Sequence, residues 1–149
     1  MLISQKCQYA LRAVFELSRR NGQGPIKVAD IAKPQAIPHR FLEVILNQLK
    51  QAGFVSSQRG NEGGYFLSRP PSEITVGNVI RFVEGPIGPV DCVADNSRRD
   101  CPLYGDCVFF SMWERVREAL SSVYDNTTFQ DLVMQDVEKN RSYVPCYSI

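Results

Sequence analysis

The sequence is poor in histidine and in long apolar runs, and each shortage excludes a class of protein. Among its 149 residues there is one histidine, His39, so a thiol enzyme that needs a histidine base has a single residue available. Walker, HExxH and dinucleotide-binding glycine motifs are all missing. No apolar run reaches membrane-spanning length, which predicts no transmembrane helix. We therefore expect neither an enzyme nor a membrane protein.

The N-terminus lacks the uninterrupted apolar core of a signal peptide, because Lys6, Arg12 and Glu16 lie among its apolar residues. This favours a cytoplasmic protein, in which thiols stay reduced. Five cysteines are present. In the cytosol they are better interpreted as metal ligands, redox sensors or buried apolar residues than as a disulfide framework.

The two parts of the chain differ in charge, although the whole carries a net charge of only +1. Residues 1–60 hold nine Lys/Arg and three acidic residues, a net charge of +6, whereas residues 61–149 have a net charge of −5. A basic N-terminal portion joined to an acidic remainder suggests that the N-terminal portion binds a polyanion.

Helical periodicity predicts a helix over about 5–20 with Ser4 as its N-cap, and a short helix over 26–32. Pro38 then occupies the position favoured at the start of a third helix. Five apolar residues of that third helix recur at helical spacing and are predicted to form its buried stripe: Phe41, Leu42, Ile45, Leu46 and Leu49. Ala52-Gly53 ends it.

The period then changes to the alternation of a β-hairpin, with strands over 54–58 and 65–68 and a turn between them. Two short helices, a helix that begins at a proline and a hairpin together predict a winged helix-turn-helix. The fold class is therefore mainly α with a small β-hairpin. Further predicted segments are a helix over 74–84, a loop over 85–106, a long helix over 107–125 and a short helix near 127–133. We divide the chain into a DNA-binding domain (1–84), a cysteine-bearing loop (85–106) and a dimerisation helix with a tail (107–149).

A winged helix-turn-helix places the first turns of its second helix in the major groove of double-stranded DNA. Arg40 can donate to guanine or phosphate, Glu43 can accept from cytosine, and His39 can contact either phosphate or base. The wing tip suits the minor groove, because arginine seeks its negative potential and glycine permits a close approach. The residues of that tip are Arg59, Gly60 and Asn61.

The long helix carries an apolar seam with heptad-like steps of 3, 4, 3 and 4: Phe109, Met112, Val116, Ala119 and Val123. The seam could pack on its own domain or on a second subunit. We expect a homodimer, because such helices commonly serve symmetric dimers.

The order of residues from Ile31 to Pro86, with the pattern IP–FLE–IL–L–AG–V–S–RG–GGY–L, closely resembles the bacterial winged-helix regulators of the IscR, NsrR and RirA type. The resemblance also includes "KCQYALRAVFELS" before that segment and "WERVREALSSVYDNTTFQDL" after it, nearly the whole chain. It implies a homodimer crossed through the long helix, which binds a near-palindromic operator.

In that family, three cysteines in the loop before the long helix bind an iron–sulfur cluster, 2Fe-2S or 4Fe-4S. Cys92, Cys101 and Cys107 occupy that loop here, with eight residues in the first gap, where family members often have about five, and five in the second. Thiolates are the ligands that such clusters require. The resemblance implies that these three cysteines are ligands.

The fourth ligand stays open. Where IscR has a histidine, this chain has Phe110, and where NsrR-type proteins supply an aspartate, it has Gln8. Cys7 lies on an apolar stripe that favours buried packing, and Cys146 could reach the site only through the tail. Local oxygen donors are Asp91, Asp95, Asp100 and Asp106.

Two further hypotheses for the role of the cysteines stay open. One is a metal-free regulator of the same family that responds through thiol oxidation or a partner protein. The other is a structural zinc site, since three cysteines and one oxygen or nitrogen ligand could also hold tetrahedral zinc.

Overall fold

The fold is mainly helical with one two-stranded antiparallel sheet, as the sequence predicts; it is taken from a computed structural model that describes residues 2–94 and 100–142. Asp95 and Cys146, two candidate ligands, lie outside the described residues. The helices and strands follow in chain order: α1 (Gln5–Arg19), α2 (Val28–Ala32), α3 (His39–Gln51), β1 (Val55–Gln58), β2 (Gly64–Leu67), α4 (Val76–Glu84), α5 (Asp91–Ala94), α6 (Phe110–Asp125) and α7 (Phe129–Ser142). Within the described ranges, no helix has the length and apolar character needed to cross a bilayer.

The helix-turn-helix is built on α1, whose buried residues pack against the stripe of α3. The Ser4 hydroxyl accepts a hydrogen bond from the Cys7 N–H at 3.1 Å, so it caps α1 as predicted. Buried residues of the two helices form the centre of the core: Ala10, Ala13, Val14 and Leu17 of α1, with Leu42, Ile45, Leu46 and Leu49 of α3. The predicted stripe of α3 is wrong in one member, because Phe41 lies at its edge and is 46% exposed.

The hairpin is joined to the helical body through Ile26. Its ladder runs from Val55 opposite Leu67 to Gln58 opposite Gly64. Ile26 exchanges two backbone hydrogen bonds with Tyr65, both 2.8 Å long. This bridge explains why α2 begins at Val28 and not at residue 26. A Cβ on Gly64 would lie 2.3 Å from the Ile26 carbonyl oxygen, so the close approach requires glycine.

The C-terminal elements differ most from the sequence prediction. The long helix begins at Phe110 instead of residue 107, and the predicted loop contains the short helix α5. The last helix runs to Ser142, well beyond the predicted short segment. At its start Phe129 is fully buried in the core formed by α1 and α3. A bidentate ion pair between Arg81 of α4 and Asp125, with N–O distances of 2.5 and 2.8 Å, joins α6 to α4.

Candidate nucleic-acid interface and cysteine loop

Three of the predicted DNA-contacting residues lie on the exposed first turns of α3. Pro38 has an extended backbone, and His39 begins the helix. The side chains of His39 and Glu43 are more than half exposed, with Nδ1 and Oε1 3.8 Å apart. The Arg40 guanidinium lies 4.8 Å from the centre of the Phe41 ring. The polar groups of His39, Arg40 and Glu43 make only weak contacts within the chain, so they can form hydrogen bonds with a ligand.

The wing is attached to the far end of α3 by two side-chain contacts. Lys50 Nζ donates to Ser57 Oγ of β1 at 2.6 Å. Tyr65 Oη of β2 lies 3.5 Å from Asn47 Oδ1, at the long limit of a hydrogen bond. Together with the Ile26–Tyr65 bridge, these contacts fix the hairpin relative to the recognition helix. These contacts were not predicted from the sequence. Their signal is that Asn47 and Lys50 lie three residues apart on α3 and therefore on the same face of the helix.

The wing tip is fully open to solvent. Arg59, Gly60 and Asn61 are all exposed in the loop that joins β1 to β2. Gly60 has φ +107° and no atom within 4 Å of a Cβ built on it, so its conformation and not crowding favours glycine there. The tip and the first turns of α3 thus form two separate, exposed sets of polar side chains, in which the guanidinium groups donate hydrogen bonds and the Glu43 carboxylate accepts them.

The three loop cysteines occupy three different settings. Cys92 is half-buried in α5, Cys101 is exposed, and Cys107 is half-buried three residues before α6. A cavity of about 310 Å³ beside Cys107 is lined by Tyr104, Gly105, Phe110 and Ser111. Three thiols suit iron–sulfur chemistry as donors. However, the described residues contain no grouping of three or more His, Cys, Asp or Glu that could hold a metal ion. The described arrangement therefore does not bring the predicted ligand set together.

Cys7 lies in a small apolar cluster that includes Ile87, a residue of the cysteine-bearing loop (85–106). It is fully buried with Ile80 and Ile87. Burial, followed by the charge and hydrogen bond of Glu84, raises the pKa of the Cys7 thiol to about 11. The thiol therefore stays protonated at neutral pH, which makes it a poor metal ligand. Gln8, the neighbouring position, donates its side-chain amide to the Ile3 carbonyl at 3.2 Å.

The seam of α6 is uncovered in the single chain. Phe109, Met112, Val116 and Val123 are 57%, 40%, 36% and 65% exposed, and no residue of α6 is fully buried. An apolar row of this extent on one helix is unusual for a surface in contact with water.

The helix-turn-helix, the wing and the exposed polar face of α3 define a winged-helix DNA-binding transcriptional regulator. The chain belongs to the Rrf2 family, described as iron-dependent transcriptional regulators, which it matches over residues 3–135. The resemblance found in the sequence is thereby confirmed.

Two kinds of relative stand out in that family. The chain is 35% identical over 144 residues to the regulator CymR of Bacillus subtilis, a match that covers 97% of this chain and 98% of CymR. The solved structure of CymR, the global cysteine regulator of B. subtilis, superposes with a TM-score of 0.74 at 36% identity, over 91% of this chain and 98% of that one. The structure of T. potens IscR also gives 0.74, at 32% identity, over 94% of this chain and 90% of the other.

Proposed function

We propose that this protein is a cytoplasmic, homodimeric transcriptional regulator that binds a near-palindromic DNA operator. The observation that supports the proposal is the pairing of α3 with the wing through side-chain contacts, which leaves two exposed sets of polar side chains that would face adjacent grooves. His39, Arg40 and Glu43 would contact the major groove. The minor groove would receive the tip formed by Arg59, Gly60 and Asn61.

The test is operator binding by the full chain, with the operator selected from a random duplex pool. Arg59→Ala should weaken binding and reduce the slope of log affinity against log salt by about one per subunit, because a phosphate neutraliser is lost. Glu43→Ala should instead relax base preference, with a smaller loss of affinity. The matched control is Arg141→Ala, an exposed arginine of α7, which should leave the slope unchanged. Wild-type slope and base preference in both test variants would contradict the proposed docking.

The dimer follows from the exposed seam of α6. A second copy that crosses this helix would cover the apolar row and place two winged helices on one operator. We infer that three segments of the chain have different roles: residues 1–84 bind DNA, 85–106 form the cysteine loop, and 107–149 provide the dimer contact and tail.

We infer that the cysteine loop sets the operator affinity by holding an iron–sulfur cluster. Membership of a family described as iron-dependent and the likeness to IscR support this. The residues that would hold the cluster are Cys92, Cys101 and Cys107, and a bound cluster would supply chemistry sensitive to iron supply, oxidants or nitric oxide. The loop leads directly into α6, so a change in the loop acts at the base of the dimer helix.

The second candidate is a metal-free regulator that responds through thiol oxidation or a partner protein. Two observations favour it. Among the described residues, the cysteines do not group with other possible metal ligands. The structure of CymR, a cysteine regulator, also superposes with the same TM-score as that of IscR. Anaerobic purification followed by visible absorption and by iron and sulfide analysis separates the two. Stoichiometric iron and sulfide, lost in Cys92→Ser, Cys101→Ser or Cys107→Ser but retained in Cys7→Ala, would support the cluster. If iron and sulfide are missing and cannot be reconstituted, the metal-free regulator stands; zinc alone would indicate a structural site.

A further inference from the structure

The exposed face of α3 has an apolar side chain at its centre. Val44 is 56% exposed, and exposed residues surround it along the helix: Arg40 one turn before, Glu43 directly before and Asn47 one turn after. The predicted buried stripe of α3 does not include Val44, and its role was not predicted from the sequence. The sequence signal for Val44 is an apolar residue at a helical position outside the buried stripe.

Helix geometry directs Val44 away from the core. Successive residues are about 100° apart around a helix. By this spacing Arg40, Val44 and Asn47 all lie within about 30° of the direction opposite the buried stripe. They are the residues of α3 that would enter a groove most deeply, and Val44 lies between the other two.

Charged residues of both signs lie near Val44: Arg40 and Lys6 are basic, and the adjacent Glu43 is acidic. Arg40 stacks on the Phe41 ring, 4.8 Å from its centre, and Phe41 lies 6.4 Å from the Tyr9 ring on the side of α1. Val44 and Phe41 line one wall of an apolar cavity of about 420 Å³ that also includes Lys6. The surface is therefore a small apolar spot within residues 1–60, which have a net charge of +6.

We propose that Val44 contacts the 5-methyl group of a thymine and so specifies one base pair in each half of the operator. This inference rests on the proposed DNA-binding function. A ligand that suits this surface combines negative charge around it with an apolar group at its centre. In the major groove of DNA, the thymine methyl is the group of that kind, and apolar groups such as those of Ala, Thr and Phe contact it.

The position of that thymine relative to the Arg40 contact also follows. Four residues of helix rise by about 6 Å, whereas successive base pairs are separated by about 3.4 Å. The thymine is therefore expected one or two base pairs from the base or phosphate that Arg40 contacts.

The test replaces each thymine of the selected operator in turn with uracil, which keeps every hydrogen-bonding group and lacks only the methyl. The affinity of the wild-type dimer is measured by fluorescence anisotropy. A single uracil at the contacted position should weaken wild-type binding by about fourfold, the effect of removing one buried methyl group, and one uracil in each half-site should weaken it by about fifteenfold. Val44→Ala should bind the thymine operator more weakly and show no further loss with uracil at that position.

Matched controls separate this contact from a general effect. Val137→Ala, the same change at an exposed valine of α7, should keep both the affinity and the uracil effect of the wild type. The proposal is overturned if no thymine position is sensitive to uracil, or if Val44→Ala shows the same uracil sensitivity as wild type; a protein partner would then be the better candidate for this surface. Failure of the wild-type chain to select any operator would instead refute the proposed function itself.

Discussion

At the scale of single residues, the cysteines illustrate how burial decides the role of a chemical group. Cys7 and Cys101 carry the same thiol, yet Cys7 is fully buried beside Glu84 and Cys101 is exposed to solvent. The helical spacing of α1 predicted the burial of Cys7 from sequence. The neighbour Glu84 could not be predicted, because it is brought there by α4 from 77 positions further along the chain.

The raised pKa of Cys7 predicts an alkaline loss of stability. In the folded chain the pKa of the thiol is raised to about 11, whereas in the unfolded chain the thiol releases its proton near the ordinary cysteine pKa of 9.0. The contribution of the protonated Cys7 thiol to the free energy of unfolding is therefore complete below pH 9 and is lost as the pH rises from 9 to 11.

Urea unfolding of wild type and Cys7→Ala at pH 7, 9 and 10.5 measures this effect. The free energy of unfolding of the wild type should fall by about 2 kcal/mol more than that of the variant between the first and last pH. The variant serves as its own control for every other titrating group. Parallel pH profiles would show that Cys7 does not contribute.

At the scale of elements, the helix-turn-helix depends on a buried carboxylate that the sequence did not single out. Glu16 near the end of α1 is fully buried. It accepts hydrogen bonds from Arg19 at 3.0 Å, Arg20 at 2.8 Å and the Gln35 amide at 2.8 Å. Gln35 lies in the turn between α2 and α3, next to Ala36, whose φ is +51°. Glu16 therefore fixes the turn that orients the recognition helix.

Replacing Glu16 with alanine should lower the free energy of unfolding by about 2–3 kcal/mol, because charge-assisted hydrogen bonds are lost and the Gln35 amide loses its partner. The two arginines remain partly solvated, which limits the cost. Chemical denaturation measures the loss, and Glu62→Ala on the exposed wing loop is the control, expected within about 0.5 kcal/mol of wild type. Equal stability of the two variants would contradict this role for Glu16.

Periodicity predicted the existence and type of α1, α3 and the hairpin, because each has one buried face and one exposed face. Periodicity failed where contacts with residues distant in the sequence determine the position of a side chain or of the backbone. Phe41 has the spacing of the core stripe but lies beside Tyr9 at the edge of α1. Ile26 has helical surroundings in sequence, yet a backbone pairing with Tyr65 holds it extended. Such long-range contacts are not encoded in local spacing.

At the scale of the whole molecule, the chain returns on itself after the long helix. Phe129 of α7 is buried in the core to which α1 and α3 also contribute. The hydrogen bond from Arg81 lowers the pKa of the Asp125 carboxyl. Local pattern indicated only a short capped helix there. The candidate cysteine ligands are likewise recognisable by residue type, whereas their assembly depends on the path of a loop that periodicity does not determine.

The exposed seam predicts the effect of a charge at its centre. Val116→Glu should give monomers or aggregates in place of a dimer, because an uncompensated charge in an apolar interface costs about 3–5 kcal/mol. Sedimentation velocity of the full chain measures the change. Ser122→Glu adds the same charge to an exposed position of α6 about 100° around the helix from the seam, and this control should remain dimeric. A well-folded Val116→Glu dimer would count decisively against the seam.

The two faces of α3 share no residues. Leu42, Ile45, Leu46 and Leu49 build the core, whereas Arg40, Glu43, Val44 and Asn47 are open to solvent. Substitutions on the outer face therefore leave the folding free energy nearly unchanged. Under the proposed function, a gene copy of this regulator would acquire a new set of promoters by exchanging a few outer side chains of α3, with the core intact. The regulatory target and the scaffold would then be specified by separate residues of one helix.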